Sequence, residues 1–194
     1  SIRAKRTMSA GKHGAALRAE AAKIVDAVVR HGRSADAALL EHVDGFDAAD
    51  QALIRMLSFG CLRHYWRLKG TLGELLERNL KRRDGVIEAL LIVGLFQLSD
   101  TRVPDHAAVS MTVEAARLLR QPKYAGRINA VRRNFVRKNL KSREPVTDEE
   151  RYDCPTWLIE MLRRDWPEDW QRILEANNDR APMWLRVNAR RTSR

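Results

Sequence analysis

The sequence predicts an all-α protein, and three observations carry that reading. Ala, Leu, Arg and Glu outnumber Thr, Ile and Tyr, a balance that favours helix over sheet. Apolar residues recur at spacings of three and four through most of the chain, where strands would alternate. With 194 residues, 44% of them hydrophobic and 31% charged, the chain can bury about 70% of its unfolded surface, enough for one core or one core with an appendage.

Residues 1–14 are basic, small and Gly-containing and read as a mobile arm. From Ala15 the stripe Leu17, Ala21, Ile24, Val28 runs at helical spacing to His31 and Gly32, where Gly supplies a left-handed cap. Ser34 is a good N-cap for a short helix through Leu39 and Leu40. A longer helix starts near Asp47 and carries Leu53, Ile54, Leu57, Cys61 and Leu68 to Gly70. Thr71 with Glu74 has the spacing of a capping box for a further helix over 72–80. Asp84 then caps a helix through Leu98 that is apolar nearly all round, which places it at the centre of a bundle. Pro104 opens a helix bearing Ala108, Met111, Ala115 and Leu118, which must end before Pro122. The last helix of this set is expected over 125–140.

Beyond it, residues 142–153 turn acidic around Pro145 and read as a linker. Trp157, Leu158, Met161 and Leu162 form one amphipathic helix, and Trp170, Ile173 and Leu174 another, with Pro167 between them. Met183 to Asn188 alternates as a strand does, after Ala181 and Pro182. The expected organisation is therefore an arm over 1–14, a helical domain over 15–141, a linker over 142–153 and a helical extension with a first strand over 154–194.

Charge is the most uneven property of the chain. Of a net +11, the 27 residues Arg117 to Arg143 supply +10, with ten Lys or Arg and no acid. Gathering like charge costs self-repulsion, so this concentration points to a polyanionic partner, and a phosphate backbone is the commonest one. On a wheel of the 125–140 helix, Ile128, Val131 and Phe135 face one way and Arg127, Arg133, Arg137 and Lys141 the other. These four form a cationic ridge and are the leading RNA-contact candidates. Lys5, Arg6, Lys12 and Arg18 form a second basic cluster at the N-terminus. Arg132 falls near the apolar face, where it must snorkel or find a buried acceptor. Arg117 and Arg120, in the last turn before Pro122, read as complements to a helix dipole.

Other chemistries lack the residues they need. The longest apolar run, Ala89 to Phe96, is less than half of the roughly 20 residues of a membrane span, and no signal-peptide core follows the N-terminal cations. Cys61 and Cys154 share no CxxC or His at ligand spacing and read as free thiols of a reducing cytoplasm. His106 has no nucleophile or acid signature beside it and reads as structural. Cys61 sits on an apolar stripe and reads as core, as do Trp157, Trp166, Trp170 and Trp184 among their aliphatic neighbours. No catalytic residue and no metal site is expected in this chain.

Specific stretches carry a resemblance. Residues 53–63 (LIRMLSFGCLR), 89–98 (ALLIVGLFQL), 103–109 (VPDHAAV), 113–116 (VEAA) and 126–134 (GRINAVRRN) resemble the NusB-like RNA-binding domain that opens bacterial rRNA cytosine methyltransferases of the RsmB (Sun or Fmu) type. Cys154 to Leu158 and Ala181 to Asn188 resemble the segment leading into that family's methyltransferase region. The resemblance implies two packed three-helix sets with one extra helix. It further implies a following Rossmann-like domain that binds S-adenosylmethionine and methylates cytosine at its 5-position with paired cysteines, none of which is in these residues. The sequence departs from the family at Arg132, usually apolar, and at Cys154, usually His. The resemblance makes this chain a non-catalytic rRNA-holding domain, with rRNA and the family's own methyltransferase domain as partners, and it implies that the basic start Lys5, Arg6, Lys12 and Arg18 meets single-stranded RNA; a monomer or weak dimer is the expected state. Two other readings stand beside it: a NusB-type transcription antitermination factor binding RNA and a ribosomal protein, and a helical bundle that docks an acidic protein surface.

Overall fold

The computed structural model describes residues 10–78, 80–179 and Asn188, and every regular element among them is helical. The alternating stretch Met183 to Asn188 lies, apart from Asn188, outside the described residues, as do Lys5 and Arg6. None of the described helices is long and apolar enough to cross a membrane.

The first helix, α1, spans Ala10–His31, so it begins within the stretch expected to be a mobile arm. Tertiary contacts draw it in: His13 pairs with Asp50 at 2.8 Å, and Arg18 donates to the Gly14 carbonyl at 3.0 Å. Gly32, at φ +63°, ends it, with the Gly32 and Arg33 amides donating back to Val28 and Ala27, as the sequence predicts. Helix α2 (Ala35–Val43) starts on the Ser34 cap. Helix α3 (Ala48–Arg63) starts on Asp47, whose carboxylate accepts from the Asp50 amide at 2.9 Å.

The expected run through Gly70 is interrupted. His64 leaves helical geometry, and α4 (Tyr65–Leu75) begins there. Thr71 lies inside α4 and donates to the Arg67 carbonyl at 3.0 Å, so it is not an N-cap and the Thr71–Glu74 capping box is overturned. A 3-10 turn, Arg82–Asp84, leads into α5 (Gly85–Asp100). Asp84 precedes α5 as expected but makes no side-chain cap. It is buried, and its carboxylate beside the Tyr124 phenol pushes that phenol above its ordinary pKa.

Helix α6 (Asp105–Leu118) follows Pro104 and stops before Arg120, which is left-handed at φ +58°. After a 3-10 turn, Pro122–Tyr124, α7 covers Ala125–Arg137. It ends earlier than expected because Asn139 adopts φ +50°, a conformation Asn tolerates and helices terminate on. Three further helices follow among the described residues: α8 (Asp148–Tyr152), α9 (Thr156–Asp165) and α10 (Trp170–Asn178).

Helix α5 is buried nearly all round, from Ile87 to Leu98, as its composition predicts. It shares the centre with α1, which packs on α2, α3, α5 and α6. One apolar cluster joins α1 with α3 to α7, and a smaller one, Leu17, Ile24, Ala38, Leu39 and Ile54, joins α1 to α2 and α3. The extension has its own small core, Tyr152, Cys154, Ile159 and Leu174. It docks on α4 through α8, the helix that falls within the acidic stretch 142–153.

Candidate nucleic-acid interface

Helix α7 presents Ile128, Val131 and Phe135 to the core, each at most 5% exposed, and its cations elsewhere. Arg133 and Arg137 are exposed on it. Lys141 is exposed too, but it lies past Asn139 on the 3-10 turn Leu140–Ser142. The four-residue ridge is therefore three residues of one helix and one beyond its end.

The structure brings Arg127 together with a different set. Two adjoining clefts of about 430 and 440 Å³ lie between the α4–α5 connection and the start of α7, and both are lined by Arg78, Lys123 and Arg127. Lys81, Arg83 and Tyr124 complete the second. The Lys123 ammonium and the Arg127 guanidinium lie 5.1 and 5.6 Å from the Tyr124 ring centroid, which orders both heads beside the opening. Asp84 and Glu77 are the acids on the lining, and Asp84 is engaged by Tyr124. Arg78, Lys81, Arg83, Lys123 and Arg127 make no ion pair within the described residues. Five cations around a concave wall focus a positive potential that favours phosphates.

Arg78, Lys81, Arg83 and Lys123 were not among the sequence candidates. A signal was present in the triplet Lys81-Arg82-Arg83, but Glu77 and Asp84 on either side dilute it in a count along the chain. Only the fold places the triplet against α7. Arg30 fixes the turn by donating to the Arg82 carbonyl while pairing with Asp26.

Three other cations of the acid-free stretch are committed elsewhere. Arg117 pairs with Glu114 at 2.8 Å. Lys138 donates to the Glu74 carbonyl at 2.9 Å, and Arg143 pairs with Glu74 and Glu150. Arg120 lies outside the last turn of α6. Arg132 lines a small apolar cavity among α5, α6 and α7, and its Nε is buried with no partner, so it finds no buried acceptor.

At the N-terminus, Arg18 is not a surface residue. It is 4% exposed, and its Nε donates to Gln97 at 2.9 Å in the core; burial lowers its pKa from the ordinary value. Its role is structural, which corrects its place among the RNA candidates. Lys12 is exposed in the first turn of α1, beside a groove with His106, Ser110 and Glu114. Cys61 is core as expected, and its thiol is pushed well up by burial. The tryptophans divide: Trp170 packs edge-on to Tyr152, whereas Trp157 and Trp166 are 65% and 58% exposed, which corrects their assignment to packing. Trp184 lies outside the described residues.

The cationic clefts beside α7 do not fit S-adenosylmethionine. Its sulfonium is a cation, and the open clefts beside α7 are walled by cations. No strand among the described residues carries a Gly-rich turn into a helix, the arrangement that holds such cofactors.

Comparison with known proteins places these features. The NusB family model matches residues 15–137. The methyltransferase RsmF/B-like, ferredoxin-like domain matches residues 154–194. The chain is 42% identical over 174 residues to ribosomal RNA small subunit methyltransferase B of Vibrio vulnificus (strain YJ016), which covers 89% of this chain and 41% of that protein. It is 40% identical over 179 residues to the protein of the same name from Yersinia pestis bv. Antiqua (strain Angola), covering 92% and 42%. With that of Erwinia tasmaniensis it shares 39% over 179 residues. The chain thus spans about two fifths of the length of these relatives.

Proposed function

The chain belongs to the NusB family, and from that we propose that it is the RNA-holding, non-catalytic part of a small-subunit rRNA cytosine-5 methyltransferase. In this reading it grips rRNA through phosphates and presents it to an S-adenosylmethionine-dependent domain elsewhere in the parent protein. The observation that carries it is the cleft in which Arg78, Lys81, Arg83, Lys123 and Arg127 converge. A concave cationic wall grips a flexible polyanion through released counterions and carries no base code of its own. The names of the relatives supply the rRNA and the methyl transfer. The match of residues 154–194 to a methyltransferase-associated domain favours this reading over a free-standing antitermination factor.

Arg133, Arg137 and Lys141 are proposed as a second, peripheral set of phosphate contacts, with Lys12, Lys5 and Arg6 at the N-terminal side. Binding of a labelled single-stranded rRNA fragment, titrated with salt, tests the whole. If about five phosphates are neutralised, log affinity falls against log salt with a slope of about −3.5. Absence of binding at about 50 mM salt would overturn the proposal.

A further inference from the structure

Helix α4 is held from outside along its length. At its start it has no side-chain cap of its own. Asp153, which follows α8, accepts from the Arg67 amide at 3.0 Å and lies 2.9 Å from His64 Nδ1. At its other end, Arg143 forks between Glu74 of α4 and Glu150 of α8. The Arg143 and Glu150 side chains are 9% and 11% exposed, so this pair is largely shielded from solvent screening. Glu150 also accepts from the Val146 amide at 3.0 Å. Its carboxylate lies directly over Gly70, where an added Cβ would collide with it. Lys138 closes the arrangement on the Glu74 carbonyl.

The residues that follow Glu74 are Leu75, Leu76, Glu77 and Arg78, and all four wall the cationic cleft. We propose that Glu150 is a positioning residue for that cleft: acting through Arg143 and Glu74, it fixes the end of α4 and so the place of Arg78 opposite Arg127. The segment after the bundle thereby sets the geometry of the RNA-gripping wall, and occupancy of the cleft is coupled to docking of α8. This rests on the RNA reading of the cleft, and it assigns Arg143, one of the ten cations of the acid-free stretch, to assembly instead of contact.

The test turns on sign. Glu150→Gln removes a negative charge, so electrostatics alone strengthens binding of a polyanion. Positioning weakens it, by about threefold or more for a coupling of this kind. The 194-residue chain is titrated with a labelled 12-nucleotide single-stranded RNA across a salt series. For Glu150→Gln the expected result is lower affinity with a salt slope flatter by at most about 0.7, the share of the one phosphate that a displaced Arg78 no longer neutralises. Gly70→Ala displaces the Glu150 carboxylate without altering any charge, and is expected to act in the same direction. It decides the matter if Glu150→Gln does not fold. Equal or tighter binding by folded Glu150→Gln, or wild-type affinity in Gly70→Ala, overturns the positioning role. Failure of the wild-type chain to bind RNA overturns the functional reading beneath it instead.

Discussion

Two arginines, Arg18 buried and Arg132 half-buried, show how differently a buried guanidinium donor can be settled. Arg18 satisfies its donors on Gln97 and the Gly14 carbonyl between α1 and α5, so its burial is compensated. Arg132 does not: its Nε is buried without an acceptor beside Leu95, Leu98 and Val109. A buried donor left unpaired costs about 1–3 kcal/mol. Arg132→Leu is therefore expected to stabilise the chain by about that amount, seen as a higher urea midpoint with an unchanged slope. Because Arg132 lines neither cationic cleft, RNA affinity should stay close to wild type apart from the loss of one long-range charge. The helical wheel made Arg132 legible as misplaced. It did not reveal Arg18, because α1 is buried on several sides and its second buried face is built from alanines, Ala15, Ala19 and Ala22, which carry little hydrophobic signal.

At the scale of elements, local rules held where a cap was local and failed where it was remote. Ser34, Asp47 and Gly32 act within a few residues of the ends they mark, and the sequence shows them. The start of α4 depends on Asp153, 86 residues from the amide it accepts, so local spacing points to Thr71 instead. An N-cap carboxylate is worth about 0.5–2 kcal/mol, and Asp153→Ala should cost that much in chemical unfolding. Thr71→Ala should lose no cap contribution. The joint beside it has a pH signature. Burial raises the Glu150 pKa, but the Arg143 and Val146 hydrogen bonds outweigh that, and the carboxyl ends below its ordinary value. A group depressed on folding stabilises above its unfolded pKa, about 4.3 for Glu, and loses that contribution as pH falls through its folded value. Unfolding curves taken from neutral pH down to about 3 should therefore show wild type losing more stability than Glu150→Gln. Equal losses would mean that the Arg143–Glu150 pair is not formed in solution.

The whole molecule distributes one linear feature, the acid-free stretch Arg117 to Arg143, over several surfaces. The helical class and the bundle were legible because hydrophobic periodicity is local. The cleft was not, because Arg78, Lys81 and Arg83 meet Lys123 and Arg127 only once α4, α5 and α7 are assembled. Charge number alone cannot separate the cleft from the outer ridge, but geometry can. Potential is focused where cations converge on a concave, low-dielectric wall and is dissipated where they project singly into water. Two triple variants make the comparison at equal charge change: Arg78, Lys123 and Arg127 to Gln, against Arg133, Arg137 and Lys141 to Gln. Long-range steering falls by the same amount in both, so any difference belongs to direct phosphate binding. The cleft variant should flatten the salt slope by about 2, near 0.7 for each phosphate no longer neutralised, and the ridge variant by less. A larger change from the ridge would place the RNA on the outer face of α7 and leave the cleft a bystander.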